Sequence, residues 1–192
     1  SDYNCSIKEL IEKINNNPLI IETIVKNITV NTTEFFRDPT VWIEFEEKVI
    51  PFLKNKEKIR IWHPGCSYGH EPYSMLMMLN EHQLLDRAEI IATDLNSDVL
   101  SSAKEGRFRY FLDAEYLKNF DLVLNRDPLN YTIPYSKYFT INPIKDIFLI
   151  KPEFIGKIKF YKHDIICDPL PDTEAFDVIM CRNLLIYFNM EL

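Results

Sequence analysis

Apolar residues recur at helical spacing through the first fifty positions and in strand-like runs after that. Ile7, Leu10, Ile11 and Ile14 form one helical stripe, with Ser6 placed to cap it and Asn15-Asn16-Asn17-Pro18 placed to stop it. Ile20, Ile21, Ile24, Val25 and Ile28 form a second. A polar stretch from Val30 turns aromatic at Phe35-Phe36, and Val41, Phe45, Val49 and Phe52 predict a helix over 41–53. From residue 59 the texture changes. Short apolar runs predict strands at 59–62, 88–94, 158–164 and 176–183, with helices at 71–85 and 97–105 between them. Strands alternating with helices predict a parallel α/β sheet whose ligands lie at the strands' carboxyl ends. The stretch 107–157 is aromatic and broken by prolines, with a helix expected near 113–120 and extended segments elsewhere. The predicted organisation is a helical N-terminal segment with a loop, 1–55, followed by an α/β domain, 56–192.

The chain has 192 residues and a formal net charge of -7, the wrong sign for a surface that mainly binds nucleic acid or an anionic membrane. At 46% hydrophobic and 27% charged residues it has the composition of a globular protein with a core. Cys5, Cys66, Cys167 and Cys181 show no CxxC spacing, no secretory leader is visible and no apolar run is long enough to span a bilayer. The expectation is a cytoplasmic protein without membrane insertion. His63, His70, His82 and His163 show no HxxxH spacing, so no metal site is expected. Aromatic residues of the insert, such as Phe108, Phe120 and Phe139, are expected to pack as core or lid rather than as a stacking platform.

Glycine is scarce: two of the four, Gly65 and Gly69, flank the turn from the first predicted strand into its helix. In a doubly wound sheet a nucleotide-like ligand meets exposed backbone N–H groups there, although a tight structural turn has the same residues. The pattern is neither GxGxxG nor GxxxxGK[ST], which disfavours a nicotinamide or flavin dinucleotide and a phosphate cradle. Asp94 ends the second strand, where a carboxylate can accept from both hydroxyls of a ribose. Its alternative is to cap the helix that starts near Ser97. Turn and acid together favour an adenosine-type ligand.

Four ordered segments sharpen this reading: Asn31-Thr32-Thr33-Glu34-Phe35-Phe36-Arg37, the run Gly65-Cys66-Ser67-Tyr68-Gly69-His70-Glu71-Pro72-Tyr73-Ser74, Ala92-Thr93-Asp94, and Cys181-Arg182-Asn183-Leu184-Leu185-Ile186-Tyr187-Phe188. In order and spacing they resemble the signature segments of CheR-type chemotaxis protein methyltransferases. The resemblance implies a Rossmann-like class I methyltransferase sheet, about four of whose parallel strands fall in this chain. It implies S-adenosylmethionine as cofactor, S-adenosylhomocysteine as product, and methyl transfer to glutamate side chains on the cytoplasmic helices of methyl-accepting chemoreceptors. Carried over by position, Asn31, Thr33 and Arg37 face cofactor and acceptor, Gly65 lines the turn, Glu71 holds the methionine amino group and Asp94 the ribose. Asp164 and Ile165 flank the adenine, Asn183 and Leu184 line the methionine end, and Tyr187 lies close to the transferred methyl. Arg37 and Tyr187 are the implied catalytic pair. Two residues depart from the pattern: His70 stands where the family has the first of two glutamates, and Asp164 stands where it has asparagine.

The residue types suit the chemistry. A guanidinium binds a carboxylate bidentately and stays charged, so Arg37 can hold the acceptor; otherwise it is a loop charge paired with Glu34 or Asp38. Glu71 equally suits the N-terminus of a helix through the dipole, and Tyr187 could orient the carboxylate or pack beneath the sheet. Cys66 and Cys181 have no histidine placed as a base and read as pocket walls. The resemblance implies seven strands in all, so a shortened chain is expected, or a dimer or swap that covers the open edge, with any small receptor-tethering β-subdomain in the missing C-terminal part. The alternative to an active methyltransferase is a module that binds S-adenosylmethionine or S-adenosylhomocysteine and signals without turnover.

Overall fold

The computed structural model describes residues 6–17, 20, 33–127, 129 and 132–184. Contacts divide the chain into two compact units, Ser1–Asn31 and Thr32–Leu192. The second takes in residues 32–55, which the sequence pattern groups with the N-terminal segment. In the first unit, α1 (Ile7–Asn16) begins with a reciprocal cap: the Glu9 N–H donates to Ser6 Oγ at 3.3 Å, and the Ser6 N–H donates to Glu9 Oε2 at 2.7 Å. Apart from Ile20, the stripe predicted over 20–28 lies outside the described residues.

In the second unit the helix predicted over 41–53 is two helices, α2 (Pro39–Lys48) and α3 (Ile50–Leu53). Pro51 has no N–H to bond back to the preceding turn, and the helix breaks just before it. Then β1 (Ile59–Pro64) and β2 (Ala88–Asp94) pair in parallel across α4 (His70–Glu81), which ends earlier than the predicted 85, with Gln83 at φ 58 just beyond it. All six residues of β1 are buried, as a strand covered on both faces requires. Next, α5 (Ser97–Glu105) takes the predicted span. Its cap is Asn96, whose side chain accepts from the Asp98 N–H, and it stops at Gly106 with φ 58.

The insert carries a second sheet, which periodicity did not resolve. β3 (Arg107–Phe108) is followed by α6 (Tyr110–Asp113) and α7 (Leu117–Leu124), then by β4 (Phe139–Asn142) and β5 (Ile147–Ile150); the antiparallel order is β3-β5-β4. This small sheet precedes the third parallel strand. Phe108, Phe120 and Phe139 are core, as predicted, while Phe111 of the insert is exposed. Phe108, Phe139 and Phe148 surround Phe35, with centroids 4.8, 5.2 and 5.6 Å away.

The parallel sheet closes with β6 (Ile158–Lys162) and β7 (Val178–Ile179), in the order β6-β2-β1-β7. The strand predicted over 176–183 is thus much shorter, and the chain turns at Asn183 with φ 56. Among the described residues no helix is long and apolar enough to cross a membrane.

Candidate functional site

Strand order reverses at β1: β2 and β6 lie on one side and β7 on the other. The carboxyl ends of β1 and β7 therefore flank the crevice in which open α/β sheets bind ligands. Gly65 (φ 66), Ser67 (φ 50) and Gly69 (φ 88) give the turn after β1 three left-handed residues. A Cβ at Gly65 would stand 3.1 Å from both methyl carbons of Leu184, so the turns after β1 and β7 meet at this glycine.

Asp94 ties the turn to β2. Its Oδ2 accepts the Ser67 N–H at 2.8 Å and its Oδ1 accepts the Asn96 N–H at 2.9 Å. Asp94 is thus not the cap of α5, a role that Asn96 fills. Burial pushes its carboxyl above the ordinary aspartate range, with the N–H groups of Asn96, Ser67 and Leu95 pulling the other way. Asp164 lies at the same end of the sheet, where the His163 N–H donates to the Asp94 carbonyl at 3.0 Å. The Asp164 carboxylate accepts from the Ile166 and Cys167 N–H groups, which sets the turn carrying Ile165.

Glu71, in the first turn of α4, stands between two donors. His63 Nδ1 is 2.8 Å from its Oε1 and Arg182 Nη1 is 3.5 Å from its Oε2. Arg182 also donates through Nη2 to the Arg37 carbonyl at 2.9 Å and to Asp38 Oδ2 at 2.6 Å. It therefore brings the loop of Thr33 and Arg37 to the end of β7. That loop is anchored on its other side by the fully buried Phe35 and Phe36. The Phe36 N–H donates to Ser74 Oγ at 2.9 Å, and Asn119 Nδ2 donates to the Phe35 carbonyl and to Glu34 at 3.2 Å each. Phe36 (φ 48) and Asp38 (φ 54) are left-handed non-glycine residues on either side of Arg37, a strained backbone that these contacts hold.

The structure thus brings Gly65, Glu71, Asp94, Asp164, Ile165, Asn183 and Leu184 to one end of the sheet and attaches the loop of Thr33 and Arg37 to it. Asn31 and Tyr187 lie outside the described residues. Two residues of the network were not singled out from sequence as site residues. Arg182 has its partners 111 and 144 positions away, a distance that periodicity does not register. His63 shows no metal-type spacing; its place two residues before the Gly65 turn is the signal that could have marked it. Among the described residues no group of three His, Cys, Asp or Glu side chains gathers as for a metal.

His70 turns toward the insert. Its Nε2 is 3.1 Å from Asp113 Oδ1 and its ring centroid is 4.7 Å from that of Phe35 and 4.5 Å from that of Phe108. Burial holds its pKa below the ordinary histidine value, against the pull of Asp113. Burial also pushes the Cys66 thiol far up, with Asp94 and Glu71 adding to the effect, and it raises Cys181. Neither thiol is activated, in keeping with pocket walls.

Residues 31–192 match the family model described as CheR methyltransferase, SAM binding domain. The chain is 30% identical over 185 residues to a chemotaxis protein methyltransferase of Listeria innocua, covering 95% of this chain and 64% of that one. It is 32% identical over 190 residues to one of Borreliella burgdorferi, covering 93% and 61%. It is also 30% identical over 197 residues to chemotaxis protein methyltransferase Cher2 of Pseudomonas putida, covering 97% and 66%. The chain therefore spans a little under two thirds of the length of these relatives.

Proposed function

Because this chain belongs to the CheR methyltransferase family, whose matched segment is the S-adenosylmethionine-binding domain of a class I methyltransferase fold, we propose that its protein methylates glutamate side chains of chemoreceptors. The acceptors are glutamates on the receptors' cytoplasmic helices, the products are γ-methyl esters, and the reaction belongs to the cytoplasm. One observation carries the reading: the glycine turn, Asp94, Glu71 and the Arg37 loop converge at the carboxyl end of one parallel sheet.

The residues present fit the cofactor. His63 Nε2 and Ser67 Oγ are buried here without a hydrogen-bond partner among the described residues, as at a place where a polar ligand completes the site. The Asp94 carboxylate accepts backbone N–H groups through both oxygens and is the acceptor at hand for the ribose hydroxyls. Glu71 supplies the negative charge for an ammonium group, Gly65 and Leu184 form the wall of the methionine end, and Asp164 and Ile165 flank the adenine. Asn31, Thr33 and Asn183 complete the binding set.

Bound S-adenosylmethionine supplies an electrophilic methyl group whose transfer to a carboxylate oxygen breaks the carbon–sulfur bond and leaves a neutral ester and a neutral thioether. The acceptor carboxylate has no proton to lose at neutral pH, so the protein need supply no general base. Its work is in-line placement. Arg37 holds the acceptor in its guanidinium fork, Arg182 holds the backbone of Arg37, and Tyr187 is the second catalytic residue that the family resemblance implies. The two opposite charges vanish together, so a site shielded from water favours transfer.

The test is incubation of the full-length protein with methyl-labelled S-adenosylmethionine and chemoreceptor cytoplasmic fragments. Label that is released as methanol by base, and that Arg37→Ala abolishes, is expected. Cofactor binding without transfer to any receptor fragment would instead leave a binding module that signals without turnover.

A further inference from the structure

His63 is fully buried at the end of β1, next to the turn and outside the set of residues assigned above. Its Nδ1 makes the short contact to Glu71, 2.8 Å against the 3.5 Å of Arg182 on the other oxygen. With a carboxylate as acceptor, Nδ1 carries the hydrogen of that bond, and Nε2 is left buried without a partner among the described residues. The two donors differ in kind. Arg182 is shared among Glu71, Asp38 and the Arg37 carbonyl, so it is pinned to the loop and reaches Glu71 only loosely. The imidazole is fixed in a strand and meets Glu71 at the shorter of the two distances, so it can orient the carboxylate from a rigid position.

We propose that His63 is a positioning residue that sets the Glu71 carboxylate for the ammonium group of the cofactor. The inference rests on the reading under which Glu71 holds that group. Without the Nδ1 donor, Glu71 is free to swing toward Arg182, form a closer ion pair and lose its hold on an ammonium. The loss should then fall only on ligands that carry an amino-acid end.

Two ligands separate this role from a merely structural one: S-adenosylhomocysteine, and 5′-methylthioadenosine, which has the same adenosine but no amino group. His63→Leu is expected to weaken S-adenosylhomocysteine about tenfold and to leave methylthioadenosine within about twofold. His63→Asn, which can still donate from Nδ2, should recover part of the loss. Equal weakening of both ligands, or of neither, would overturn the assignment. Should the leucine variant not fold, the wild-type protein decides: its His63 ring nitrogen resonances should move on adding S-adenosylhomocysteine and not on adding methylthioadenosine, and movement with both or with neither contradicts the role. Glu71→Gln tests the underlying reading separately. If it leaves the preference for S-adenosylhomocysteine intact, Glu71 does not hold the ammonium group and the inference falls with it; if it removes the preference while His63→Leu does not, the inference alone fails.

Discussion

Strand β2 carries a carboxylate at each end, and the fold shifts the two in opposite directions. At the amino end, Glu89 accepts from Lys159 and from Arg60, and these contacts hold its carboxyl below the ordinary range. At the carboxyl end, Asp94 accepts backbone N–H groups and is raised by burial. The surroundings differ in the same sense. The amino end is a mesh of opposite charges: Arg60 also meets Asp172 and Glu174, and Lys58 meets Glu174 and Glu89. Beside it lies an open cavity of about 510 Å³ lined by residues that include Lys58, Asp86, Arg87, Glu89, Lys157 and Lys159, with charges of both signs. The four buried side-chain polar atoms that lack a partner among the described residues belong to His63, Ser67, His70 and His163, all at the carboxyl end. That cavity is lined by charges that already pair with one another. Unspent hydrogen-bonding capacity and left-handed backbone mark the carboxyl end, because a ligand can supply what the protein leaves open.

The largest way to sharpen the contrast is to neutralise each carboxylate in turn. Asp94→Asn should weaken S-adenosylhomocysteine on the order of 100-fold by calorimetry, the loss of two hydrogen bonds to a charged acceptor. Glu89→Gln, about 16 Å away along the strand at about 3.3 Å per residue, should leave that affinity within about twofold and lower the melting temperature instead. An Asp94 variant that binds normally would break the comparison.

Acid separates the ends next. The folded pKa of Glu89 lies below its unfolded value, so its contribution to stability is present above the unfolded pKa and is lost as pH falls through the folded one. The folded pKa of Asp94 lies above its unfolded value. In the free protein its ionised form therefore opposes folding, and protonation in the window just above the ordinary aspartate range relieves that cost. Ribose binding needs the ionised form. Titrated downward from neutral pH, cofactor affinity should fall before thermal stability does; the reverse order would mean that Asp94 is not the ligand group.

Smaller effects follow at single positions. Gly65→Ala puts a Cβ on a left-handed residue and against Leu184, costing about 1–2 kcal/mol of stability and some affinity, read from melting and titration together. Lys157→Ala, at the edge of the amino-end cavity, should change neither quantity measurably, since it removes only an exposed charge 3.9 Å from Asp86.

The two ends were unequally legible in the sequence. Strand 88–94, helix 97–105 and the turn at Gly65–Gly69 follow from local chemistry, namely an apolar run ending in an acid, an Asn96 cap, and glycines where the backbone is left-handed. Asp94 was therefore found with its place. The clasp of Arg182 on Glu71, Asp38 and the Arg37 carbonyl was not, since it joins segments that only the folded sheet brings together. The pairing of β5 with β3 on one side and β4 on the other escaped because strands of two and four residues are too short to declare a period. The apolar spacing across Pro51 suggests one helix where there are two.

A crystal structure of the protein with S-adenosylhomocysteine tests the central claim most directly. The account predicts the ligand at the carboxyl end, with its ribose hydroxyls on Asp94 and its amino group on Glu71. Ligand in the charged cavity beside Lys58 and Lys159, or an adenosine at the carboxyl end with its ribose turned away from Asp94, would contradict it.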